Sequence, residues 1–103
     1  MAAQYVYVWE FIVSADHASA FERTYGSSGE WVQLFRRGPG YLRSELYRDR
    51  SQPQRFITID YWESKDAWDV FRTRFAKEFE ALDAKCAAWT ISEVEIGRFE
   101  PIS

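Results

Sequence analysis

The sequence predicts an α+β domain of the ferredoxin-like, split β-α-β kind, with a four-stranded antiparallel sheet and helices on one face. Two segments carry that prediction. Arg55 to Phe75, RFITIDYWESKDAWDVFRTRF, is a strand-like run that ends in Trp62-Glu63-Ser64 and turns at once into an amphipathic helical pattern. Tyr5 to Tyr25, YVYVWEFIVSADHASAFERTY, is a fainter copy: an aromatic and β-branched run, then small polar residues, an acidic residue, an Ala and an aromatic. Two strand-to-helix units, each followed by further strand-like sequence, describe the split arrangement. With 103 residues the chain is expected to form one domain over 1–103, since the length is near the commonest domain size and leaves no room for a second core.

Each element has its own signal. Strand one is expected over about Tyr5 to Val13. Ser14 or Asp16 then opens a helix, because a short polar side chain can accept a hydrogen bond from a free first-turn amide, and Gly26 ends it. Ser27 and Glu30 stand at capping-box spacing before a short helix, Glu30 to Arg36, with Trp31, Leu34 and Phe35 as its apolar stripe. Gly38-Pro39-Gly40 is a turn, and strand two follows from about Tyr41 to Tyr47. The polar loop Asp49 to Gln54 separates it from strand three, Arg55 to Trp62, and the two should pair as a hairpin. After Ser64, Trp68, Phe71, Phe75, Phe79, Leu82 and Cys86 recur at intervals of three and four, which predicts one long helix of some twenty residues. A last strand occupies about Trp89 to Phe99, and Pro101 closes it.

Composition narrows the function classes. A net charge of −3 argues against nucleic acid, which demands a basic face, and Arg36-Arg37 and Arg48, Asp49, Arg50 read as solvated loop ends. No apolar run approaches the ~18 residues of a membrane span, and MAAQYVYVWE has neither a basic leader region nor a cleavage pattern. One cysteine, Cys86, cannot form an internal disulfide, so a cytoplasmic, reducing location is expected. No metal-ligand spacing, Gly-rich phosphate loop or Ser-His-Asp set is present, so neither metal nor cofactor is expected. Five Trp, six Tyr and eight Phe exceed what a small core needs, so part of that set should line a pocket or an interface.

Both faces of strand one are apolar: Tyr5, Tyr7, Trp9 and Phe11 on one, Val6, Val8 and Ile12 on the other. Strand three repeats this, with Ile57, Ile59 and Tyr61 opposite Phe56, Thr58, Asp60 and Trp62. A sheet with helices on one side alternates apolar and polar residues when its second face meets water. This one does not, so a homodimer joined through the sheet face is expected.

Several of these residues form a pattern. Asp60-Tyr61-Trp62-Glu63-Ser64 ends a strand as acidic-x-Trp-x-Ser, Ala67-Trp68 opens the long helix, Gly40-Tyr41 starts strand two, and Ile96-Gly97-x-Phe99 ends the last strand. In these features nearly the whole chain resembles the antibiotic biosynthesis monooxygenase (ABM) domain family of the dimeric α+β barrel superfamily. The resemblance implies a dimer joined sheet to sheet and a pocket in each subunit between helices and sheet. Its members oxidise polycyclic aromatic substrates without metal or flavin, degrade haem, or have no established activity.

The haem branch uses an asparagine on strand one, a tryptophan on the long helix and a histidine further along it. Glu10, Phe71 and the Phe79 to Glu80 region stand there instead, and His17, the single histidine, lies at the start of the first helix as an expected turn residue. The oxygenase branch fits better. Trp62 matches the family's strand-end tryptophan, although Thr58 and Trp68 stand where quinone-forming members carry an asparagine and a tyrosine. Other members pair the acidic residue with a helix histidine; Asp60 remains, and Phe71 replaces the histidine.

Asp60, Trp62 and Glu10 are therefore the candidate catalytic residues, an aspartate being a competent base if desolvation raises its pKa. Glu10 is also readable as a structural carboxylate, like Asp60. Thr58, Trp31, Phe35, Trp68, Phe71 and Phe75 are the candidate substrate-binding residues, the aromatics among them being equally readable as core at helical spacing. The expected function is cofactor-independent oxygenation of a small aromatic, polyketide- or quinol-like metabolite. The alternative is a non-catalytic dimeric module for a small apolar ligand.

Overall fold

A computed structural model describes residues 3–102. Strand β1 spans Tyr5–Val13, β2 Tyr41–Arg48, β3 Arg55–Trp62 and β4 Thr90–Phe99, all antiparallel in one sheet of order β2-β3-β1-β4. A 3-10 turn, Ala15–His17, leads into helix α1, Ala18–Tyr25; α2 is Glu30–Phe35, α3 Lys65–Arg74 and α4 Ala76–Ala87. This is the expected ferredoxin-like topology, and the first and third strands have the expected bounds.

Cross-strand pairing sets the two faces, because residues directly opposite in an antiparallel ladder share a side. Tyr5 pairs with Trp62, Tyr7 with Asp60, Trp9 with Thr58 and Phe11 with Phe56, and this row meets the helices. Val6, Val8 and Ile12 lie on the other side with Ile59 and Tyr61, where they are half-buried rather than covered. The core on the helix side forms two clusters. The larger joins Tyr5, Tyr7, Trp62, Trp68 and Phe71 to Trp31 and Phe35 of α2, and the smaller packs Phe11, Val13 and Phe56 on Phe21 of α1.

The structure departs from the expected elements in four places. Neither Ser14 nor Asp16 caps the first helix through its side chain: the 3-10 turn Ala15–His17 intervenes, and the N-cap of α1 is His17, with no side-chain bond. The long helix breaks at Phe75, whose φ of −109° and ψ of 28° leave the helical basin, although Phe75 N–H still bonds Phe71 O at 2.9 Å and Phe79 N–H bonds Phe75 O at 2.9 Å. The capping box of Ser27 and Glu30 does not form: the N-cap of α2 is Gly29, with no side-chain bond, and a Cβ there would meet the Thr24 and Arg23 carbonyl oxygens closer than any real contact. On β4 the pairing skips Ile96 and Ile91, so these are extra residues at bulges rather than members of a regular alternation. Helix α3 begins after Ser64 as expected, and Ser64 caps it, with Ala67 N–H donating to Ser64 Oγ at 3.1 Å.

Candidate functional site

Between the helix-facing row of the sheet and helices α1–α4 lies a cavity of about 340 Å3, within the ~300–1,000 Å3 typical of small-molecule sites. Its floor is Tyr7, Trp9 and Phe11 of β1 with Thr58 and Asp60 of β3. Its roof is Trp31, Val32 and Phe35 of α2, with Trp68 of α3 and Phe79 of α4. Aromatic edges meet the floor rings: Trp68 stands T-shaped on Tyr7 at 5.1 Å between centroids, and Trp31 on Phe79 at 4.9 Å. Flat aromatic walls suit a planar ring system.

Asp60 is the carboxylate of that floor. Ser44 of the neighbouring strand pairs with it across β2 and β3, and Ser44 Oγ donates to Asp60 Oδ1 at 2.6 Å. Because the one serine hydrogen is used there, the 2.8 Å contact between Tyr41 Oη and Ser44 Oγ runs with the tyrosine as donor. A chain Tyr41–Ser44–Asp60 thus reaches the cavity. Burial pushes the Asp60 carboxyl up to about 6, with the Ser44 bond pulling it the other way. A carboxylate poised there accepts a proton near neutral pH far better than an ordinary one.

Charged groups occupy other parts of the lining. Arg98 of β4 donates through Nε to Glu95 Oε1 at 2.9 Å and lies over the Tyr7 ring at 4.9 Å. Glu45 accepts from Tyr61 Oη at 2.8 Å and Tyr47 Oη at 3.1 Å. Glu93 is raised above the usual carboxylate range by burial and then by Asp83. Arg72 of α3 sits 3.9 Å over the Phe79 ring, and its Nη1 is buried without a hydrogen-bond partner. Among the described residues no group of three or more His, Cys, Asp or Glu is gathered as a metal site needs, and no helix is long and apolar enough to cross a membrane.

Of the residues singled out in the sequence, Asp60, Thr58, Trp31, Phe35 and Trp68 line the cavity together. Trp62 does not. It is 0% exposed behind that wall, in edge contact with Phe35, Tyr41 and Trp68, and Gly38 packs close against it: a Cβ there would lie 2.8 Å from Phe71 Cδ1 and 3.2 Å from the Trp62 ring. Phe71 and Phe75 belong to the same core and do not line the cavity. Glu10 lies on the opposite face of the sheet, bound to Arg55 at 2.6 Å, where Arg55 also holds Asp49 at 2.9 Å. Ser44, Tyr41 and Arg72 were not singled out. Strand alternation with the hairpin register points to Ser44, and the four-residue step from Trp68 points to Arg72.

The family model for antibiotic biosynthesis monooxygenases matches residues 5–85. No curated protein sequence matches the chain. Among solved structures, SnoaB, a cofactor-independent oxygenase from Streptomyces nogalater, is 25% identical with a TM-score of 0.68, covering 99% of this chain and 96% of its own. PA3566 from Pseudomonas aeruginosa is 18% identical with a TM-score of 0.73, covering 100% and 98%. A candidate antibiotic biosynthesis monooxygenase from Nitrosomonas europaea reaches a TM-score of 0.75 at 14% identity, covering 99% and 93%.

Proposed function

This chain belongs to the antibiotic biosynthesis monooxygenase family, and from that premise we propose that it oxygenates a small planar phenol or its keto tautomer with O2 alone, using Asp60 as the base. The observation that carries the reading is a carboxylate with its pKa raised to about 6, hydrogen-bonded by Ser44, on the floor of an aromatic cavity of about 340 Å3. A reduced aromatic of this kind activates O2 once it has lost a proton, so the protein needs only to bind it, take the proton and keep water out.

The steps balance without a further reductant. Asp60 takes one proton from the substrate, and the electron pair left behind spreads over the ring carbon that will react. That carbanion transfers electrons to O2 and forms a C–O bond, and the peroxide oxygen takes a proton back from Asp60. Loss of water with the second hydrogen of the carbon leaves a carbonyl. One CH2 and one O2 thus become one C=O and one H2O. Thr58 and Trp68 border the same cavity and fix the ring by contact rather than by proton exchange, since neither side chain is an acid or base near neutral pH.

The second reading, a binding module, is favoured by Phe71 at the helix position where related enzymes carry a histidine, which leaves Asp60 without a side-chain partner from the helices. The two separate by experiment. Purified protein freed of metal and flavin is offered anthrone and dihydroxynaphthalenes while oxygen uptake and tryptophan fluorescence are followed. Uptake of one O2 per substrate supports the oxygenase. Saturable quenching without uptake supports the module, and neither signal contradicts both.

For the partner, the half-buried face of Val6, Val8, Ile12, Ile59 and Tyr61 supports a homodimer packed sheet to sheet. That face is continued on β4 by exposed Val94 and Phe99.

A further inference from the structure

We propose that Arg72 is the oxyanion-binding residue of the cavity, donating to the ionised oxygen of a phenolate or enolate ligand. The inference rests on the aromatic-ligand reading of the cavity and adds to it the class of ligand: a ring that carries an acidic hydroxyl.

Five charged side chains besides Arg72 border the cavity: Glu45 and Asp60 from β2 and β3, Asp83 from α4, and Glu93 and Arg98 from β4. Arg98 is matched by Glu95. Glu45 takes two tyrosine hydroxyls, Glu93 accepts from Thr90 Oγ1 at 3.3 Å, and Asp60 is held by Ser44, while Asp83 forms no ion pair among the described residues. Arg72 has no such counterpart. Among the described residues it forms no ion pair, and its Nη1, buried from solvent, donates to no protein atom.

Its guanidinium is nonetheless held in place, 3.9 Å over the Phe79 ring that roofs the cavity, while its stem follows Trp68 one helical turn earlier. A positioned guanidinium with a free N–H buried from solvent is a strong donor for an anionic oxygen, since a partly desolvated site magnifies the attraction. Asp60 supplies the other half of the demand. Once a hydroxyl gives its proton to Asp60, the anion left on the ligand needs a cation, and Arg72 is the cavity cation not already matched. Arg72 is thereby a binding residue for the charged form of the ligand and does not itself move a proton.

The test reads the ionisation of a bound reporter rather than turnover. 4-Nitro-1-naphthol, whose phenolate is coloured, is titrated with pH while bound to the Asp60→Asn protein, so that the proposed base does not compete for its proton. In that background Arg72 lowers the reporter's pKa by about one unit or more relative to solution, the scale set by an adjacent opposite charge. Adding Arg72→Gln removes the shift while the neutral phenol still binds, and Arg72→Lys restores part of it. A bound reporter whose pKa equals its solution value, or one whose shift survives Arg72→Gln, overturns the assignment while leaving the aromatic cavity intact. A reporter that does not bind at all overturns both.

Discussion

At the scale of single residues, Asp60 is the proposed base. Its folded pKa lies above the ordinary aspartate value of 3.8, so the folded state binds its proton more tightly than the unfolded state does. Stability from this group is complete below about pH 4 and is lost as pH rises through about 6. Asp60→Asn should therefore raise stability at pH 7, by on the order of 1–2 kcal/mol because the carboxylate borders a cavity, and should change it little at pH 4. Urea denaturation at the two pH values checks the difference. Trp62→Ala should cost about 3–5 kcal/mol by the same measurement, as a large core deletion does, rather than simply trimming a wall of the cavity. Alternation along β3 was legible from the sequence and placed Thr58, Asp60 and Trp62 on the helix side together. Depth was not legible: Gly38, Phe35 and Tyr41 close over Trp62, and these are contacts between distant segments. Glu10 misleads for a simpler reason. Its neighbours Trp9 and Phe11 are one step away on the strand and so point to the opposite face.

At the scale of elements, strand bounds and the start of α3 follow from local chemistry, and Ser64 with Trp62 marks them in the sequence. Ser64→Ala should lower stability by about 1 kcal/mol through loss of the bond from Ala67 N–H, measured as a shift in the denaturation midpoint at unchanged slope. The break between α3 and α4 had no such mark. No Gly or Pro lies between Lys65 and Ala87, and the apolar spacing runs through Phe75 without interruption. The guanidinium of Arg37 stacks on the Phe75 ring at 4.9 Å, a tertiary contact that periodicity does not register. Helix α2 covers the cavity and is tied to α4 at both ends, by Lys85 to Glu30 at 2.6 Å and Arg37 to Glu78 at 3.7 Å. Both pairs are solvent-exposed, so Glu30→Gln should change stability by less than about 1 kcal/mol; the position of the lid rests on Trp31, Val32, Leu34 and Phe35, all buried.

At the scale of the whole molecule, the two faces of one sheet divide the work. The helix face holds the cavity, and the other face presents a band of apolar residues that water does not favour. Light scattering should report twice the monomer mass, and Val8→Arg, which sets a charge in the middle of that band, should shift the protein toward monomer; a monomeric wild type at micromolar concentration contradicts the dimer. The global topology was legible because two strand-to-helix units in one short chain leave few alternatives. The candidate site was legible only down to Asp60, since its partners Ser44 and Tyr41 reach it through the pairing of β2 with β3. The most direct measurement of the central claim is the pH profile of oxygen uptake with anthrone or a dihydroxynaphthalene. For the wild type, kcat/KM should rise with pH and level off through a midpoint near 6, and Asp60→Asn should lower it by about 10²–10⁴-fold while leaving fluorescence-detected binding nearly intact. Uptake in Asp60→Asn equal to that of the wild type, with the same pH profile, would contradict the assignment of Asp60 as the base.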